Sequence, residues 1–487
     1  MKLRAIFSTI LIATAAFGIA AQDPWLHVYS PNPSVFKQFS MDGVLDISFD
    51  EAGGTMTVNT ASDGPTVLSL GSIDRFAIGP NVCRIDIDTD MKVYDSTFGS
   101  YDGRPVTEIV SKTIYLEGTL HFDGRGIYED VDAPVKIRGR GNSTWGYSKK
   151  PYRIKFTEKQ KLGPVHRAKN LVLLANYLDG AMMRNFAAFA FGKLIEMPYI
   201  NRSLPVDVYL NGIYKGSYHL TEKVGINNGS VDLPKEDEPN SILFELDTNS
   251  ADEDEYPFND SSFGVPVRIK DPDAPVDYYE REEWLDKWRG ELNDFFGIVS
   301  GENPAEIFKV CNLETLVRYV MTFNIACNQE LNHPKSVYLH KTDGGMWEFG
   351  PCWDFDWAYG YSPTYSKGQS SGSWWWNPVS YPTYENPLIG FGNASNQGGN
   401  NFFYALCNND VFLSRFKEVW DDFYNNKQEE FWRMFNEYAA TLEPSAALQA
   451  TERSQYQGWD QHVEELREWI QNRFDYINSD PNYGLWE

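Results

Sequence analysis

The chain has 487 residues, of which 68 are acidic and 43 are basic, so its formal net charge is −25. A surface with this excess of carboxylates repels nucleic acids and anionic membranes, because both attract clustered cations. We therefore expect no nucleic-acid partner. No segment after the N-terminus approaches the roughly 20 apolar residues of a membrane-spanning helix, so we expect no transmembrane anchor.

The N-terminus predicts a secretory signal peptide at residues 1–21. Two basic residues precede an apolar run, and the small residues Ala20 and Ala21 follow it. This order is typical of a signal peptide that is removed. We therefore expect a protein that is secreted, periplasmic or held at the cell surface.

The five cysteines are an odd number and show no CxxC spacing. This pattern argues against a zinc site and against a disulfide scaffold. We expect the cysteines to be small buried apolar side chains. A disulfide between Cys327 and Cys352 is the alternative.

Residues 22–125 predict a small β-rich N-terminal region. Short apolar runs alternate there with Gly, Asp and Asn turns, as in FSMDGVLDISFDEAGGTMTVN. This is the pattern of strands joined by tight turns. The region has no cluster of His or carboxylate residues of a catalytic kind, so we expect a structural or attachment role.

Residues 126–250 predict a mixed lobe. VKIRGRG and PYRIKF have strand patterns, LVLLANYL resembles a buried strand and AMMRNFAAFAFGKLIE a helix. PVDVYLNGIYKGSYHLTEKV predicts a hairpin that turns at Asn211-Gly212. An acidic loop at 245–264 is the expected boundary with a second lobe.

Residues 265–480 predict a mainly helical lobe, so the fold class is α+β. Four segments carry apolar residues at helical spacing: YYEREEWLDKWRGELNDFFGIV, PAEIFKVCNLETLVRYVMTFNIACN, VFLSRFKEVWDDFYNN and QHVEELREWIQNRFDYINS. A strand pair near 336–357 and a long loop at 359–400 interrupt them.

The stretch VKIRGRGNSTWGYSKKPYRIKF, residues 135–156, carries seven Lys and Arg residues. We predict two strands joined by a turn in which Gly139 and Gly141 let backbone amides approach a ligand. Amides, the hydroxyls of Ser143 and Thr144, and neighbouring cations together suit a polyphosphate. The alternative is a cationic surface hairpin that pairs with the acidic loop.

The second of these strands places two cations on one face. Strand alternation puts Arg153 and Lys155 on the same side, with Tyr152 and Ile154 opposite. One of the two cations can therefore reach back over the turn.

GPCWDFDWAYG is the second candidate site. Strand alternation puts Asp354 and Asp356 on one face and Trp353, Phe355 and Trp357 on the other. Adjacent carboxylates repel unless a cation lies between them, and Mg²⁺ is bound through one or two carboxylates plus substrate phosphates. The alternative is an edge strand whose Asp pair faces water.

Four blocks in this order resemble the CotH family, named for spore coat protein H: RGRGNSTWGYSKKPYRIKF, LLANYLDGAMMRN, PVDVYLNGIYKGSYHLTEKV and SVYLHKTDGGMWEFGPCWDFDWAYG. The resemblance covers residues 130–475. It implies a divergent, bilobal protein-kinase-like domain, secreted or coat-associated, that binds ATP and Mg²⁺ or Mn²⁺ and phosphorylates protein.

The resemblance also implies roles for individual residues. Lys155 becomes the strand lysine that pairs with phosphate, Glu222 lies near the adenine, and Asp354 or Asp356 holds the metal. The phosphate loop consists of Arg138, Gly139, Gly141, Asn142, Ser143 and Thr144.

The chain departs from the family pattern before the metal-binding segment. Glu330 stands where a base Asp is expected, and Ser336 stands where a metal-binding Asn is expected. The resemblance makes Glu330, Lys155 and Asp354 the catalytic residues, with Asn332 as the substitute amide ligand. His333 is a further candidate base, because the ordinary pKa of histidine suits that role; a structural role is the alternative.

Asp179 and Arg184 form a further pair. Asp179 is expected to cap a helix that starts there. Arg184 is a candidate for a salt bridge that orients the nucleotide-binding lobe.

Two functions follow. The first is an exported kinase that transfers the γ-phosphoryl group of ATP to Ser or Thr of a protein outside the cytoplasm. The second is a catalytically weak or inactive scaffold of the same family that acts at the cell surface as a glycan-binding or adhesion protein, with Trp374–Trp376 as part of the sugar platform.

Overall fold

The structure, a computed structural model, covers most of the chain. The described residues are 25–29, 37–50, 52–73, 75–79, 81–89, 94–95, 100–101, 108–234, 236–247, 258–259, 262–332, 334–360, 383–390 and 398–486. The predicted signal peptide, Trp374–Trp376 and His333 lie outside the described residues.

Two small antiparallel sheets form the N-terminal part of the described chain. β2, β1 and β6 pair in that order, and β3, β4 and β5 form the second sheet. The strands are β1 (Trp25–Tyr29), β2 (Lys37–Ser40), β3 (Val44–Asp50), β4 (Thr55–Thr60), β5 (Gly64–Ser69) and β6 (Arg75–Gly79). A separate apolar cluster that includes Leu26, Met56 and Val58 holds them together. The predicted β-rich character is confirmed.

A closed barrel follows, in the order β10-β11-β12-β13-β15-β14-β7. Its strands are β7 (Cys83–Thr89), β10 (Leu116–Asp123), β11 (Val131–Gly139), β12 (Tyr152–Gln160), β13 (Ala168–Leu174), β14 (Leu204–Leu210) and β15 (Ile213–Glu222); β8 (Tyr94–Asp95) and β9 (Ser100–Tyr101) form a separate short pair. Neighbouring strands are antiparallel except β7 and β14, which are parallel. The barrel therefore includes two strands, β7 and β10, that precede residue 126.

Side-chain alternation in β12 divides the inside of the barrel from its outer face. Tyr152, Ile154 and Phe156 are buried in the barrel core, whereas Arg153 is half-buried and Lys155 is exposed. The predicted common face of Arg153 and Lys155 is confirmed, because alternate side chains of a strand point to opposite sides.

The hairpin of β14 and β15 turns at Asn211-Gly212, as predicted. Both turn residues have positive φ, 50° at Asn211 and 75° at Gly212. This is the conformation that an Asn-Gly pair adopts in two-residue hairpins, because its twist matches that of the strands. Asn211 Oδ1 also accepts the backbone N–H of Thr89 at 2.8 Å, which ties the turn to β7.

A second sheet has the order β17-β18-β16-β19-β20. Its strands are β16 (Ser241–Leu246), β17 (Phe258–Asn259), β18 (Pro266–Asp271), β19 (Val337–Thr342) and β20 (Glu348–Phe349). Every residue of β16 is buried, and the sheet shares one large apolar core with the helices.

The helices that the structure describes are α1 (Arg184–Leu194), α2 (Tyr278–Val299), α3 (Ile307–Val310), α4 (Leu313–Ala326), α5 (Gly398–Cys407), α6 (Asp410–Asp422), α7 (Gln428–Glu452) and α8 (Trp459–Ser479). α2 has the bounds of its predicted apolar segment. The mainly helical second half and the α+β class are confirmed.

The segment predicted as one helix before Cys327 forms two, α3 and α4. Asn312 divides them, because its side chain accepts the backbone N–H groups of Glu314 and Thr315 and so caps the start of α4. α4 ends at Cys327, which has the left-handed conformation with φ of 42°.

The sequence did not predict α7. Pro444 lies inside this helix, and a proline normally argues against a helix interior.

All five cysteines are free and buried. The expected apolar role is confirmed, and the alternative disulfide between Cys327 and Cys352 is wrong. Within the described ranges, no helix is both long enough and apolar enough to cross a membrane.

Candidate active site

A cleft of about 640 Å³ lies where the outer face of the barrel meets the second sheet. Loop residues 140–144 and strands β11, β12 and β13 contribute one wall. β16, β18, β19 and the loop after β20 contribute the other. Its charged lining residues are Lys112, Arg138, Arg140, Arg153, Lys223, Glu245, Asp247, Arg268, Lys270, Glu330, Lys335, Asp354 and Asp356.

The basic loop enters this cleft at Gly141, Asn142, Ser143 and Thr144. Gly141 has φ of 87°, and a Cβ atom there would lie 2.3 Å from Oγ1 of Thr144. The carbonyl of Gly141 accepts a hydrogen bond from Nζ of Lys112 at 3.1 Å. Glycine is therefore required at 141 both for its backbone conformation and for close packing of the loop.

Gly139, predicted to belong to the phosphate loop, makes packing contacts in the structure. It does not line the cleft; its N–H donates to the carbonyl of Ser111 at 2.8 Å. A Cβ at Gly139 would lie 2.2 Å from the Trp145 ring. Gly139 thus allows Trp145 to pack beneath the loop.

Asp354 and Asp356 both line the cleft, but the loop that carries them is not a strand. Asp354 has φ of 69°, and this turn breaks the predicted alternation. Trp353 and Trp357 line the same cleft as the two carboxylates, whereas Phe355 is buried in the core. The predicted separation of the aspartates from these two tryptophans is therefore wrong.

Hydrogen bonds hold the Asp354 loop in position. Asn328 Nδ2 donates to the Asp354 carbonyl at 3.0 Å, and Ser336 Oγ donates to Oδ2 of Asp354 at 3.2 Å. The N–H of Phe355 donates to Oδ1 of Asn185, on α1, at 2.9 Å. Ser336 therefore contacts the carboxylate directly, although its φ is 53°, a value that costs energy in a residue other than glycine.

Glu330 lines the cleft beside the two aspartates. Burial and then the charge of Asp354 raise the pKa of Glu330 well above its ordinary value, and burial and Asp354 do the same to the pKa of Asp356. Although burial lowers the pKa of Lys335, the charges of Glu330 and Asp354 raise it above its ordinary value overall. The charges of Asp354 and Asp356 disfavour the ionised form of Glu330, and the charge of Lys335 opposes this effect.

Three residues with predicted roles lie outside the cleft lining. Lys155 is exposed on the outer face of the barrel. Glu222 is buried and accepts the backbone N–H of His166 at 2.7 Å and that of Arg202 at 2.9 Å, so its contacts are structural. Asn332 donates from Nδ2 to the Leu388 carbonyl at 2.8 Å.

Asp179 and Arg184 are brought together. Asp179 Oδ2 accepts the backbone N–H of Arg184 at 2.9 Å, at the first residue of α1, and its Oδ1 pairs with the Arg184 guanidinium. Arg184 Nε also donates to the carbonyl of Ala358 at 3.1 Å. The pair therefore connects the start of α1 to the loop that carries the aspartates.

Sequence reasoning missed the strand residues of the second sheet. Oε2 of Glu245 accepts hydrogen bonds from Arg268 Nε at 2.8 Å and from Lys270 Nζ at 2.7 Å. The Tyr338 hydroxyl donates to Oε1 of Glu245 at 2.6 Å. Burial raises the pKa of Glu245, but the charges of Lys270 and Arg268 lower it to about 2 overall. Charged residues at alternate positions in VRIKD were the available signal.

The chemistry of these donors fits a hard cation that also binds phosphate. Oε2 of Glu330 is buried and has no hydrogen-bond partner among the described residues, and the charge of Asp354 disfavours the ionised form of Asp356. Among the described residues, no group of three or more His, Cys, Asp and Glu side chains could hold a metal ion. Magnesium sites with one or two carboxylates plus substrate phosphates do not need such a group.

Comparison with known proteins identifies the family. No curated protein matches the chain. The model of the family described as CotH kinase protein matches residues 137–477, which include β12 to β20, α1 to α7, and nearly all of α8. The match also includes the basic loop and the Asp354–Asp356 segment. The chain therefore belongs to the CotH kinase protein family.

Proposed function

We propose that this chain is a protein kinase that uses ATP and Mg²⁺ or Mn²⁺. It transfers the γ-phosphoryl group to a Ser or Thr hydroxyl of a protein outside the cytoplasm. One observation carries the proposal: the basic loop at Gly141–Thr144 and the carboxylates of Glu330, Asp354 and Asp356 line a single cleft. Phosphoryl transfer depends on such a pairing of cationic and metal-binding groups around the phosphates.

In this proposal the barrel is the first lobe of a kinase-like domain, and the second sheet with its helices is the second lobe. The loop amides and the hydroxyls of Ser143 and Thr144 bind phosphate oxygens. Val172, Leu174 and Val224 line the same cleft and suit the apolar faces of the adenine ring.

The metal would be held by Asp354 and Asp356. A bound Mg²⁺ or Mn²⁺ neutralises charge on the phosphate oxygens as the phosphoryl group transfers. Ser336 Oγ donates to Oδ2 of Asp354 and so orients that carboxylate. Asn332 remains the predicted amide ligand from the family resemblance: its Nδ2 donates to the Leu388 carbonyl, and its Oδ1, the atom that would bind a metal, is buried without a hydrogen-bond partner among the described residues.

Glu330 is the proposed base. The acceptor oxygen forms a bond to the γ-phosphorus while the bond from that phosphorus to the β–γ bridging oxygen breaks, and ADP leaves. The hydroxyl proton passes to Glu330, which must be ionised to accept it. Burial and the charge of Asp354 raise the pKa of Glu330 overall, and the charge of Lys335 opposes them and favours the ionised form.

Thermal melts test nucleotide binding. We expect ATP with Mn²⁺ to raise the melting temperature of the wild type, because a ligand that binds only the folded state stabilises it. Asp356→Ala should remove the shift, whereas the exposed Asp286→Ala, which lies outside the cleft, should keep it. Absence of a shift in the wild type at millimolar ATP and Mn²⁺ contradicts the proposal.

Transfer is tested separately with γ-labelled ATP. Label should enter Ser or Thr of an added protein acceptor in the wild type and in Asp286→Ala, but not in Asp356→Ala or Glu330→Gln. If the protein binds nucleotide but transfers no label to any acceptor, the proposed kinase activity is contradicted and the chain is a nucleotide-binding scaffold.

A further inference from the structure

Two arginines face the cleft from directly paired positions on neighbouring barrel strands. Arg138 on β11 and Arg153 on β12 are partners in the strand register, and both line the cleft. Nε of each is buried without a hydrogen-bond partner among the described residues. Like charges at opposite positions of a strand pair are destabilising, so this arrangement has a cost in the free protein.

A third cation increases that cost. Lys223 follows β15, lines the same cleft and lies close enough to Arg153 for the two charges to interact. Burial, and then the charges of Arg153 and Lys270, lower its pKa to about 8. Burial also lowers the pKa of Arg153, with Arg138 acting in the same direction. Burial therefore disfavours the charged forms of Lys223 and Arg153 relative to water.

The carboxylates near these cations have other partners. Glu245 is bonded to Arg268 and Lys270, and Oδ2 of Asp271 accepts the backbone N–H of Ile226 at 2.8 Å. Asp271 and Asp273 raise the pKa of Arg153, yet its pKa remains below the ordinary value. The neighbouring carboxylates therefore compensate the charge of Arg153 only in part.

A tetrahedral oxyanion would supply the missing compensation. Guanidinium groups bind phosphate oxygens through charge-assisted hydrogen bonds of fixed direction. The only described hydrogen bond of the Arg153 guanidinium is from Nη2 to Oδ1 of Asn170 at 2.9 Å. That contact fixes the side chain, and Nε has no partner within the part of the chain that the structure describes.

We propose that Arg138, Arg153 and Lys223 form an oxyanion subsite on the barrel wall of the cleft, distinct from the Gly141–Thr144 loop. The subsite binds a phosphate or sulfate group. Its source is either a phosphate of the nucleotide, an assignment that rests on the proposed function, or an anionic group carried by the acceptor. Arg153, rather than the exposed Lys155, is the cation of β12 that contacts this group.

The test is a calorimetric titration of the protein with inorganic pyrophosphate and, separately, with sulfate. Both titrations contain EDTA and no nucleotide. We expect the wild type to bind pyrophosphate and Arg153→Met to bind it at least tenfold more weakly. Lys155→Met is the matched control, because Lys155 lies on the same strand face outside the cleft, and it should bind as the wild type does. Lack of binding at millimolar pyrophosphate, or an equal loss in both variants, overturns the subsite.

Stability separates binding from a structural role. If Arg153 serves a ligand, Arg153→Met should melt at or above the wild-type temperature when no anion is present, because an incompletely compensated charge has been removed. A lower melting temperature would show that Arg153 is structural and would overturn the assignment. Lys223→Met provides a second variant with the same expected loss of pyrophosphate binding if Arg153→Met does not fold.

Competition identifies the source. If pyrophosphate displaces ATP with Mn²⁺, the subsite takes a nucleotide phosphate; if both bind together, it takes the anion of the acceptor. Pyrophosphate binding that depends on Arg153, in a protein that does not bind ATP, would support the subsite and contradict the kinase proposal. The opposite result is ATP binding that depends on Asp356 but not on Arg153 or Lys223, with no pyrophosphate binding. That result would support the kinase proposal and contradict the subsite.

Discussion

Lys149 Nζ donates a hydrogen bond to Oε1 of Gln449 at 2.5 Å, across 300 positions of the chain. The same ammonium donates to the Ser217 carbonyl at 2.5 Å and lies near the rings of Tyr218 and Tyr456. Lys149 is 1% exposed. The end of the basic loop is therefore fixed to α7 by a buried, hydrogen-bonded charge.

Gln449→Leu should destabilise the protein by about 3 kcal/mol, because a buried ammonium loses an acceptor that it cannot replace with water. Urea unfolding measures this change. The exposed Gln457→Leu serves as control and should change the free energy of unfolding by less than about 0.5 kcal/mol. In a double-mutant cycle, Lys149→Met should reduce the cost of Gln449→Leu; strictly additive costs would show that the two side chains do not interact.

Gly141→Ala should weaken binding of ATP with Mn²⁺ about tenfold. Its φ of 87° and its contact with Thr144 oppose any side chain there, so the loop must move away from its binding conformation. Gly146→Ala is the control, because among the described residues no heavy atom other than those of Gly146 and its chain neighbours lies within 4 Å of the added Cβ. Equal affinities for both variants in calorimetric titration would place the loop outside the nucleotide site.

The parts of the fold that sequence predicted are those with a local cause. Asn211-Gly212 specifies its own turn, and α2 follows its apolar spacing. The barrel closes through a parallel pairing in which Cys83 lies opposite Val206. No local pattern encodes that contact, because the two strands are distant in sequence and each resembles an ordinary buried strand.

In the site, too, sequence predicted the features that have a local cause and missed those that depend on contacts between distant parts of the chain. Gly141 and Asp354 were found because a glycine turn and closely spaced carboxylates suggest chemistry on their own. Strand alternation put Arg153 and Lys155 on one face, and only the position of the cleft distinguishes them. Glu245 was missed, because its importance depends on cations that reach it from another strand.

Asp207→Asn should stabilise the protein increasingly as pH rises from 4 to 8. Burial raises the pKa of Asp207 to about 6, against hydrogen bonds from Ser445 and Tyr214, whereas its value in the unfolded chain is near 3.9. The folded state therefore binds the proton more tightly, and the stability from this group is lost as pH rises through 6. The gain at pH 8 should approach about 3 kcal/mol. A pH-independent difference between variant and wild type in urea unfolding would contradict the assigned shift.

His219 should make the protein less stable in mild acid. It is 1% exposed, its Nε2 lies 3.2 Å from Oγ of Ser203, and burial lowers its pKa to about 3. The unfolded chain takes up this proton below about pH 6.5 while the folded state does not, so stability is present above that pH and falls below it.

The expected loss from His219 is about 2 kcal/mol between pH 8 and pH 5. His219→Gln, which keeps a polar group beside Ser203, should show a smaller fall over this range in urea unfolding. The control is His121, whose side chain is exposed and pairs with Asp132. His121→Gln should retain the wild-type dependence of stability on pH. If the two variants have equal slopes, burial of His219 does not cause the acid sensitivity, and His340, also buried with its pKa lowered to about 3, becomes the residue to change.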